Sequence, residues 1–497
     1  MKIPREIKSV INELEKAGFE AYVVGGCSRD FLQGVEPNDW DITTDAKPEQ
    51  IQEIFPENFY ENRFLTVTVR TQSKNPGLKE IEITTFRSEA KYSDKRHPEE
   101  IKFAKTLKED LSRRDFTVNA IALKLKVQNA KRKTTTQSSK LYETIDPYNG
   151  QKDLKNKIIR AVGNPNDRFN EDALRLMRAV RLATVLNFSL EEKTQKAIIQ
   201  NASLLKLISI ERIRDEFIKI ILSDRAADGL ESLRQLNLLK YVVPELLEGV
   251  GCSQNKHHIY DCYEHNLFSL KYAAAKKFNL AIRLASLFHD IAKPRVKKGE
   301  GLNSTFYNHE IVGARMTAKI LERLRLPRDL SEKIIKLVRY HLFYYNVGEV
   351  GESSVRRLLR NVGPENIEEL LQVRMADRIG SGVPKAEPYK LRHLRYLLVR
   401  VSTDPISAKM LKVNGHEVMK ILKIKPGPKV GQILDILLGQ ILEDPKKNKK
   451  GSLRKEVVRL GRLADKELDA LAREAEKGKE QIEQKRDEMT KEKYWVT

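Results

Sequence analysis

The chain has 497 residues, enough for about three domains at roughly 150 residues each, so a single small module is excluded. Hydrophobic residues make up 40% and charged residues 32%, which excludes wholesale disorder and implies buried cores beneath a heavily ionised surface. Its 91 basic and 69 acidic side chains leave a net charge of +22, while three cysteines, Cys27, Cys252 and Cys262, are too few for a disulfide framework, match no zinc spacing and read as buried or incidental.

The N-terminal stretch is charged and amphipathic from Pro4 to Gly18, not an apolar signal region. No apolar run of membrane-spanning length follows, so a soluble cytoplasmic protein without membrane association is expected. Next come a β-rich AYVVGG, a polar-flanked DWDIT, and the alternating runs FLTVTVRT and KEIEITTFR, which together predict an α/β head over residues 1–150. Within it, VQNAKRKTTTQSSK (Val127 to Lys140) lacks apolar periodicity and reads as a loop or insertion. From about Asn170 onward the apolar spacing turns helical. It predicts a neck over 151–250, a histidine-bearing helical region over 251–400, and a helical tail over 401–497 that ends in a charged helix near Lys493. Residues 1–150 carry 25 basic and 24 acidic side chains, residues 151–450 carry 54 and 34, and residues 451–497 carry 12 and 11. A basic middle between balanced ends fits a polyanion such as nucleic acid, although a charge excess also serves solubility.

Two constellations carry chemistry. In Tyr22 to Asp30, a β-type run meets Gly25 and Gly26 and then a helix start, with Arg29 close behind. Glycines let a backbone approach phosphate, and a guanidinium adds a positive fork. Asp39-Trp40-Asp41 fits a short strand whose alternate carboxylates share one face and can hold Mg²⁺, and Glu82 is a candidate third carboxylate. Each has a plain structural alternative: a Gly-Gly turn, a solvated D-x-D turn, an exposed strand face.

GGCSRD, DWDIT, TTFRSEAKYSDKRHP, LSRRDFTVNAIA, DPYNGQKDL, EDALRLMRAVR and ERIRDEF, taken in order, resemble the motifs of class II tRNA nucleotidyltransferases, the CCA-adding enzymes, and their poly(A) polymerase relatives. That resemblance implies an α/β nucleotidyltransferase head with a small mixed sheet, followed by a mostly α-helical neck, HD domain and tail. It also implies template-independent addition of CCA to tRNA from CTP and ATP with Mg²⁺. Position by position, Gly26 and Arg29 would contact the triphosphate beside Gly25, Asp39 and Asp41 would bind magnesium, and Arg114 and Asp115 would meet ribose and phosphates, with Asn119 in support. Asp172 and Arg175 would read the incoming base, and Arg178 and Arg181 would make further nucleotide contacts. A carboxylate and a guanidinium three residues apart on one helix face suit the amino donor and ring acceptors of cytosine and adenine alike, and reject uracil and guanine.

Poly(A) polymerases of this superfamily carry an RRFRLxHV-like segment where this chain reads ENRFLTVTVR, which favours tRNA end synthesis. Arg87 to Arg96 resembles the loop that complete CCA enzymes retain. A-only addition, or a poly(A) polymerase, stays open as the alternative. Further on, His265, His289, Asp290, His309, His341 and Asp377 are six candidate ligands on predicted helices. They resemble the HD phosphohydrolases, with His265, His289, Asp290 and Asp377 as the core set and His309 and His341 as the histidines of members with a second ion. This implies a divalent transition metal or Mg²⁺ and phosphoester hydrolysis. An HD phosphohydrolase with a vestigial head is the reading from another class, and the intact Asp39 and Asp41 argue against it.

Overall fold

The computed structural model of the chain describes residues 2–61, 66–92, 98–126, 142–255, 259–402 and 408–496. Asn62 to Leu65 of the ENRFL segment, Ser93 to Arg96 of the presumed loop and the Val127 to Lys140 insertion lie outside the described residues. The chain divides into two compact units, Met1–His341 with Gln372–Pro384, and Leu342–Leu371 with Lys385–Thr497.

In the first unit, the alternating runs form a seven-stranded mixed sheet. Its strands are β1 (Ala21–Val24), β2 (Asp41–Thr44), β3 (Asn58–Glu61), β4 (Thr66–Arg70) and β5 (Glu80–Thr85). After a separate antiparallel ribbon, β6 (Arg87–Tyr92) and β7 (Pro98–Phe103), β8 (Ala122–Leu125) and β9 (Tyr142–Ile145) complete it. The order is β3-β4-β5-β2-β1-β8-β9; β2 and β5 run parallel and every other neighbouring pair is antiparallel. Part of the segment read as a loop, Arg87 to Tyr92, is therefore a strand.

Period-two alternation splits the sheet's side chains between two cores. Val23, Ile42, Val67, Ile81 and Ile83 pack on one face against Ile7, Ile11 and Leu14 of the amphipathic Arg5–Lys16 helix. Tyr22 and Val24 pack on the other against Phe86, Leu107 and Leu111. With both faces covered, β1 is buried along its whole length, which gives the Gly25 turn at its end a rigid support.

The neck is helical: Pro165–Glu171, Leu174–Leu186, Ile210–Leu222 and Ala226–Gln235 bury Phe169, Met177, Val180, Phe217, Ile220 and Leu230. The histidine-bearing region follows as helices Cys262–Ala275, Leu280–Phe288, His309–Arg323 and Arg328–Tyr340, and from Gln372 onward the helix Ile367–Gly380 belongs to the same unit. In the second unit, Gly415–Leu422, Pro428–Glu443, Lys450–Gly461 and Asp465–Lys493 surround Val418, Ile433, Leu437, Val457, Leu460 and Leu468. The final charged helix, open to a coiled-coil reading from its sequence, buries Leu468 and Ala472 in this core. No helix among the described residues is long and apolar enough to cross a membrane.

Candidate active site and metal centre

Strand β1 ends at Gly25, whose φ of +83° lies in the left-handed region. A Cβ there would stand 3.0 Å from Asp41 Oδ2 and 3.3 Å from Arg114 Nη1, so glycine alone lets both side chains close over the turn. Gly26 opens the helix Gly26–Leu32, which is pinned from within. Ser28 Oγ reaches the carbonyls of Gly25 (2.9 Å) and Ile121 (2.8 Å). Cys27 Sγ donates to Val24 O at 3.0 Å and accepts from the Asp41 amide at 3.4 Å. Cys27 is thus buried as expected, and it also ties the helix to the first residue of β2.

The D-x-D segment is not a strand pair. Trp40 is buried and packs its ring 6.2 Å from that of Phe31; the chain bends just before it, at Asn38 and Asp39, so Asp39 precedes the strand and β2 starts at Asp41. Asp41 lies in parallel register with Glu82 of β5. Burial raises the Asp41 carboxyl, Asp39 adds to the effect, Arg114 opposes it and Glu82 adds again, leaving it pushed up to about 6. A carboxylate so disfavoured as an anion, with two more within electrostatic reach, suits a divalent cation.

Arg114 was legible in the sequence, but its anchor was not. Asp110, fully buried, takes two hydrogen bonds from Arg113 (3.0 and 2.8 Å) and one from Arg114 Nη2 (3.4 Å). Its placement four residues before Arg114, within one helical turn, was the available signal.

Asp115 has its bonds filled on both oxygens. Oδ1 accepts from the Phe116 amide (2.9 Å) and Asn119 Nδ2 (3.1 Å), and Oδ2 accepts from Arg178 Nε (2.8 Å) and Nη2 (2.6 Å). Asn119 Oδ1 in turn accepts from Arg29 Nη1 at 2.7 Å. Burial raises the Asp115 carboxyl, yet Arg178 and Arg175 outweigh it and hold the group well below the usual carboxylate range. One unbroken chain of hydrogen bonds therefore runs from the Gly-Gly turn to the neck helix.

Asp172 and Arg175 are not on one helix face. Asp172 is the extended C-cap residue of Pro165–Glu171, and Arg175 lies in the next helix, Leu174–Leu186, with Arg178 and Arg181. The chain breaks there because the Asp172 carboxylate accepts the Leu174 amide (3.0 Å), as a cap does, and pairs across the neck with Arg212 at 2.8 and 3.3 Å. Arg175 bonds instead to Glu171 Oε2 (2.6 Å), Arg168 O (3.2 Å) and Arg113 O (2.8 Å), and Arg181 pairs with buried Glu216 at 2.6 Å. By this count three of about four acceptor sites on Asp172 are filled, and three of about five donors on Arg175. ERIRDEF supplies Arg212 and Glu216, two partners to which sequence reasoning gave no role.

The six HD candidates do converge. Asp290 bridges two groups, its Oδ2 lying 3.0 Å from His265 Nε2 and 3.3 Å from His289 Nε2, and its Oδ1 3.2 Å from His309 Nε2 and 3.5 Å from His341 Nε2. Asp377 Oδ1 lies 3.4 and 3.6 Å from His265 and His289. Donors bound at about 2.1 Å to a common ion stand roughly 3.0–3.4 Å apart at tetrahedral or octahedral angles, so this spacing fits two cations sharing Asp290. His289, His309 and His341 each direct Nδ1 at the carbonyl three residues earlier, at 2.9, 2.6 and 2.7 Å, which presents Nε2 to the centre. Gly380 lets the Asp377 helix approach His265, since a Cβ there would lie 2.7 Å from His265 O. Burial opposes the ionised form of Asp290, but Lys293 and His289 keep it well below the usual carboxylate range. Lys293, three residues after Asp290 and 2.6 Å from its Oδ2, was not singled out in the sequence.

A Gly-Gly turn with Asp41 and Arg114 beside it at the edge of a mixed-sheet head, a helical neck hydrogen-bonded to that head through Asp115, and a converged His/Asp set define a nucleotidyltransferase joined to an HD-type domain. Residues 21–160 match the "Poly A polymerase head domain" model, 187–249 the "Probable RNA and SrmB- binding site of polymerase A" and 262–381 the "HD domain". A CCA-adding enzyme of Lactobacillus delbrueckii is 33% identical over 446 residues, 89% of this chain and 95% of that protein. Another, from Lactobacillus helveticus, is 50% identical over 212 residues, 42% of this chain and 48% of that one. The crystal structure of the Bacillus stearothermophilus CCA-adding enzyme in complex with CTP aligns with a TM-score of 0.57 and 27% identity, over 93% of this chain and 98% of that one. The chain belongs to the CCA-adding enzyme family.

The raised Asp41 carboxyl has a consequence for stability. Folding favours its protonated form, so the stability this group contributes is present at low pH and is lost as pH rises through about 6. Asp41→Asn should therefore stabilise the metal-free protein by about 1–2 kcal/mol at pH 8, with the gain vanishing near pH 4. Urea unfolding of both proteins across that range checks this.

Proposed function

We propose that this chain adds C, C and A in turn to the 3′ end of tRNA, taking CTP and ATP as substrates. The observation that carries the reading is the hydrogen-bond chain Arg29–Asn119–Asp115–Arg178. It couples a triphosphate-approaching turn in the head to a base-facing helix in the neck. Gly25, Gly26 and Arg29 hold the triphosphate, with Arg114 beside the turn. Asp39 and Asp41, with Glu82, hold Mg²⁺, whose chemistry is to acidify the attacking 3′-hydroxyl and stabilise the departing pyrophosphate.

Base choice rests on the remaining capacity of two fixed side chains. Asp172, held by Arg212, has one acceptor site left for the amino group of cytosine or adenine. Arg175, held by Glu171, has two donors left for the ring acceptors. Uracil would set a carbonyl against the carboxylate, leaving both unpaired. The basic residues of 151–450 bind the tRNA backbone.

We further propose that His265, His289, Asp290 and Asp377 hold one divalent ion of a phosphohydrolase centre, with Asp290, His309 and His341 holding a second. Such ions, when bound, would activate a water for attack on a phosphoester; Asp290 offers one oxygen to each histidine group, and the backbone bonds of His289, His309 and His341 hold their rings with Nε2 toward the centre.

The test supplies tRNA lacking its terminal nucleotides with each nucleoside triphosphate singly and in pairs, and sequences the products. Wild type should stop after two C with CTP alone and complete CCA with CTP plus ATP; A-only or unlimited A addition would overturn the reading. Asp39→Ala should lower addition by at least about 10²-fold with tRNA affinity nearly unchanged, and Arg175→Ala should raise UMP incorporation relative to CMP. His289→Ala should remove metal-stimulated phosphoester hydrolysis while CCA addition continues, with metal content and circular dichroism measured alongside because metal binding contributes folding energy.

A further inference from the structure

Two of the cysteines that sequence spacing left incidental stand together beside the HD centre. The Cys262 amide donates to the Cys252 carbonyl at 3.0 Å. With standard backbone bond lengths, that contact limits the two Cα atoms to about 7 Å, the outer edge of what a disulfide spans. Cys262 is buried as the first residue of the helix that carries His265, whereas Cys252 is partly exposed on the loop before it.

That loop is wired to the metal ligands. The Gly251 amide donates to Asp261 Oδ2 at 2.7 Å, and Gln254 Nε2 donates to the carbonyls of Tyr260 and Asp261 at 3.2 and 3.3 Å. Gln254 Oε1 accepts from Lys293 Nζ at 2.6 Å, and the same ammonium sits 2.6 Å from Asp290 Oδ2. Lys293 is itself buried, with Nζ 5.5 Å from the Phe306 ring centroid. The position of Gln254, two residues after Cys252, therefore sets the position of the cation that pairs with the bridging carboxylate.

We propose that Cys252 and Cys262 form an oxidative modification site, which a hydroperoxide closes into a disulfide that locks the Gln254–Lys293 strut against Asp290. Cys252, the more exposed thiol, attacks the peroxide as the thiolate. An S–O bond forms, the O–O bond breaks, and the departing hydroxide takes up a proton as water, leaving a sulfenic acid. The Cys262 sulfur then displaces the second oxygen: the S–S bond forms, the S–O bond breaks, and a second water leaves with the Cys262 proton. Two thiols lose two electrons and hydrogen peroxide is reduced to two waters. Cys27, alone between Val24 and Asp41, takes no part.

The cross-link stands on the two cysteines alone; its effect on the metal centre rests on the reading of that centre proposed above. The test treats the full Mn²⁺-loaded chain with hydrogen peroxide. Reactive thiols counted in denaturant should fall from three to one and return with dithiothreitol, and peptide mass mapping under non-reducing conditions should find Cys252 joined to Cys262. Cys252→Ser, at the partly exposed position, should abolish the joined peptide while its reduced form keeps wild-type metal content and CCA addition. Oxidised wild type should release Mn²⁺ to a chelator several-fold more slowly than reduced wild type, and oxidation of Cys252→Ser should leave the rate unchanged. Three persisting thiols, or stable over-oxidation of Cys252 beside a free Cys262, would overturn the modification site. Equal release rates despite the disulfide would overturn the lock. A reduced chain that retains no Mn²⁺ would instead contradict the metal centre itself, and the thiol counts would still decide the cross-link.

Discussion

Asp115 is a carboxylate taken out of water, and such a group is tolerated only when its charge and lone pairs are met by the protein. Arg178 supplies the charge through two hydrogen bonds, while Asn119 and the Phe116 amide fill the other oxygen. Since Asn119 also receives Arg29, the group that would touch a triphosphate and the helix that would face its base share one buried anchor. Removing either partner leaves the other desolvated, so the head turn and the neck helix hold their geometry together.

The same device recurs along the neck. Arg175, Arg178 and Arg181 follow one another on one helix, and each meets a carboxylate from a different segment: Glu171, Asp115 and Glu216. Asp172 completes the set in reverse, receiving Arg212. Pairing fixes the planar guanidinium groups in orientation without removing all their donors. On the proposed function, a site that would accept two bases and reject two others would depend on such preorganised hydrogen-bonding capacity.

Much of this was legible where a local pattern carries the physics. Alternation predicted β4 and β5, AYVVGG predicted a strand running into a glycine turn, and the adjacent His289 and Asp290 marked a ligand cluster that the fold closes. The failures share one cause, that tertiary partners are not written in local spacing. The apolar period runs unbroken through Glu171 to Arg175, so the sequence hides the helix break that Arg212 and the Leu174 amide impose on Asp172. The D-x-D spacing fitted one strand, but the chain bends at Asn38 and Asp39, so Asp39 stays outside the strand that starts at Asp41. Asp110 and Lys293 gave only one-turn spacings from residues already singled out. The Leu342–Leu371 segment, helical like its neighbours, gives no sign that it folds with the second unit while Asp377, a few residues on, returns to the first.

The central claim is that Asp115 and Arg178 act as one unit in positioning nucleotide. A double-mutant cycle on kcat/KM for CMP addition to tRNA lacking its terminal nucleotides tests it most directly, using Asp115→Asn, Arg178→Gln and the pair, each verified as folded. The account predicts that the double variant loses little more than either single one, with a coupling energy of at least about 1.4 kcal/mol, a tenfold departure from additivity. Single effects that simply add would contradict it.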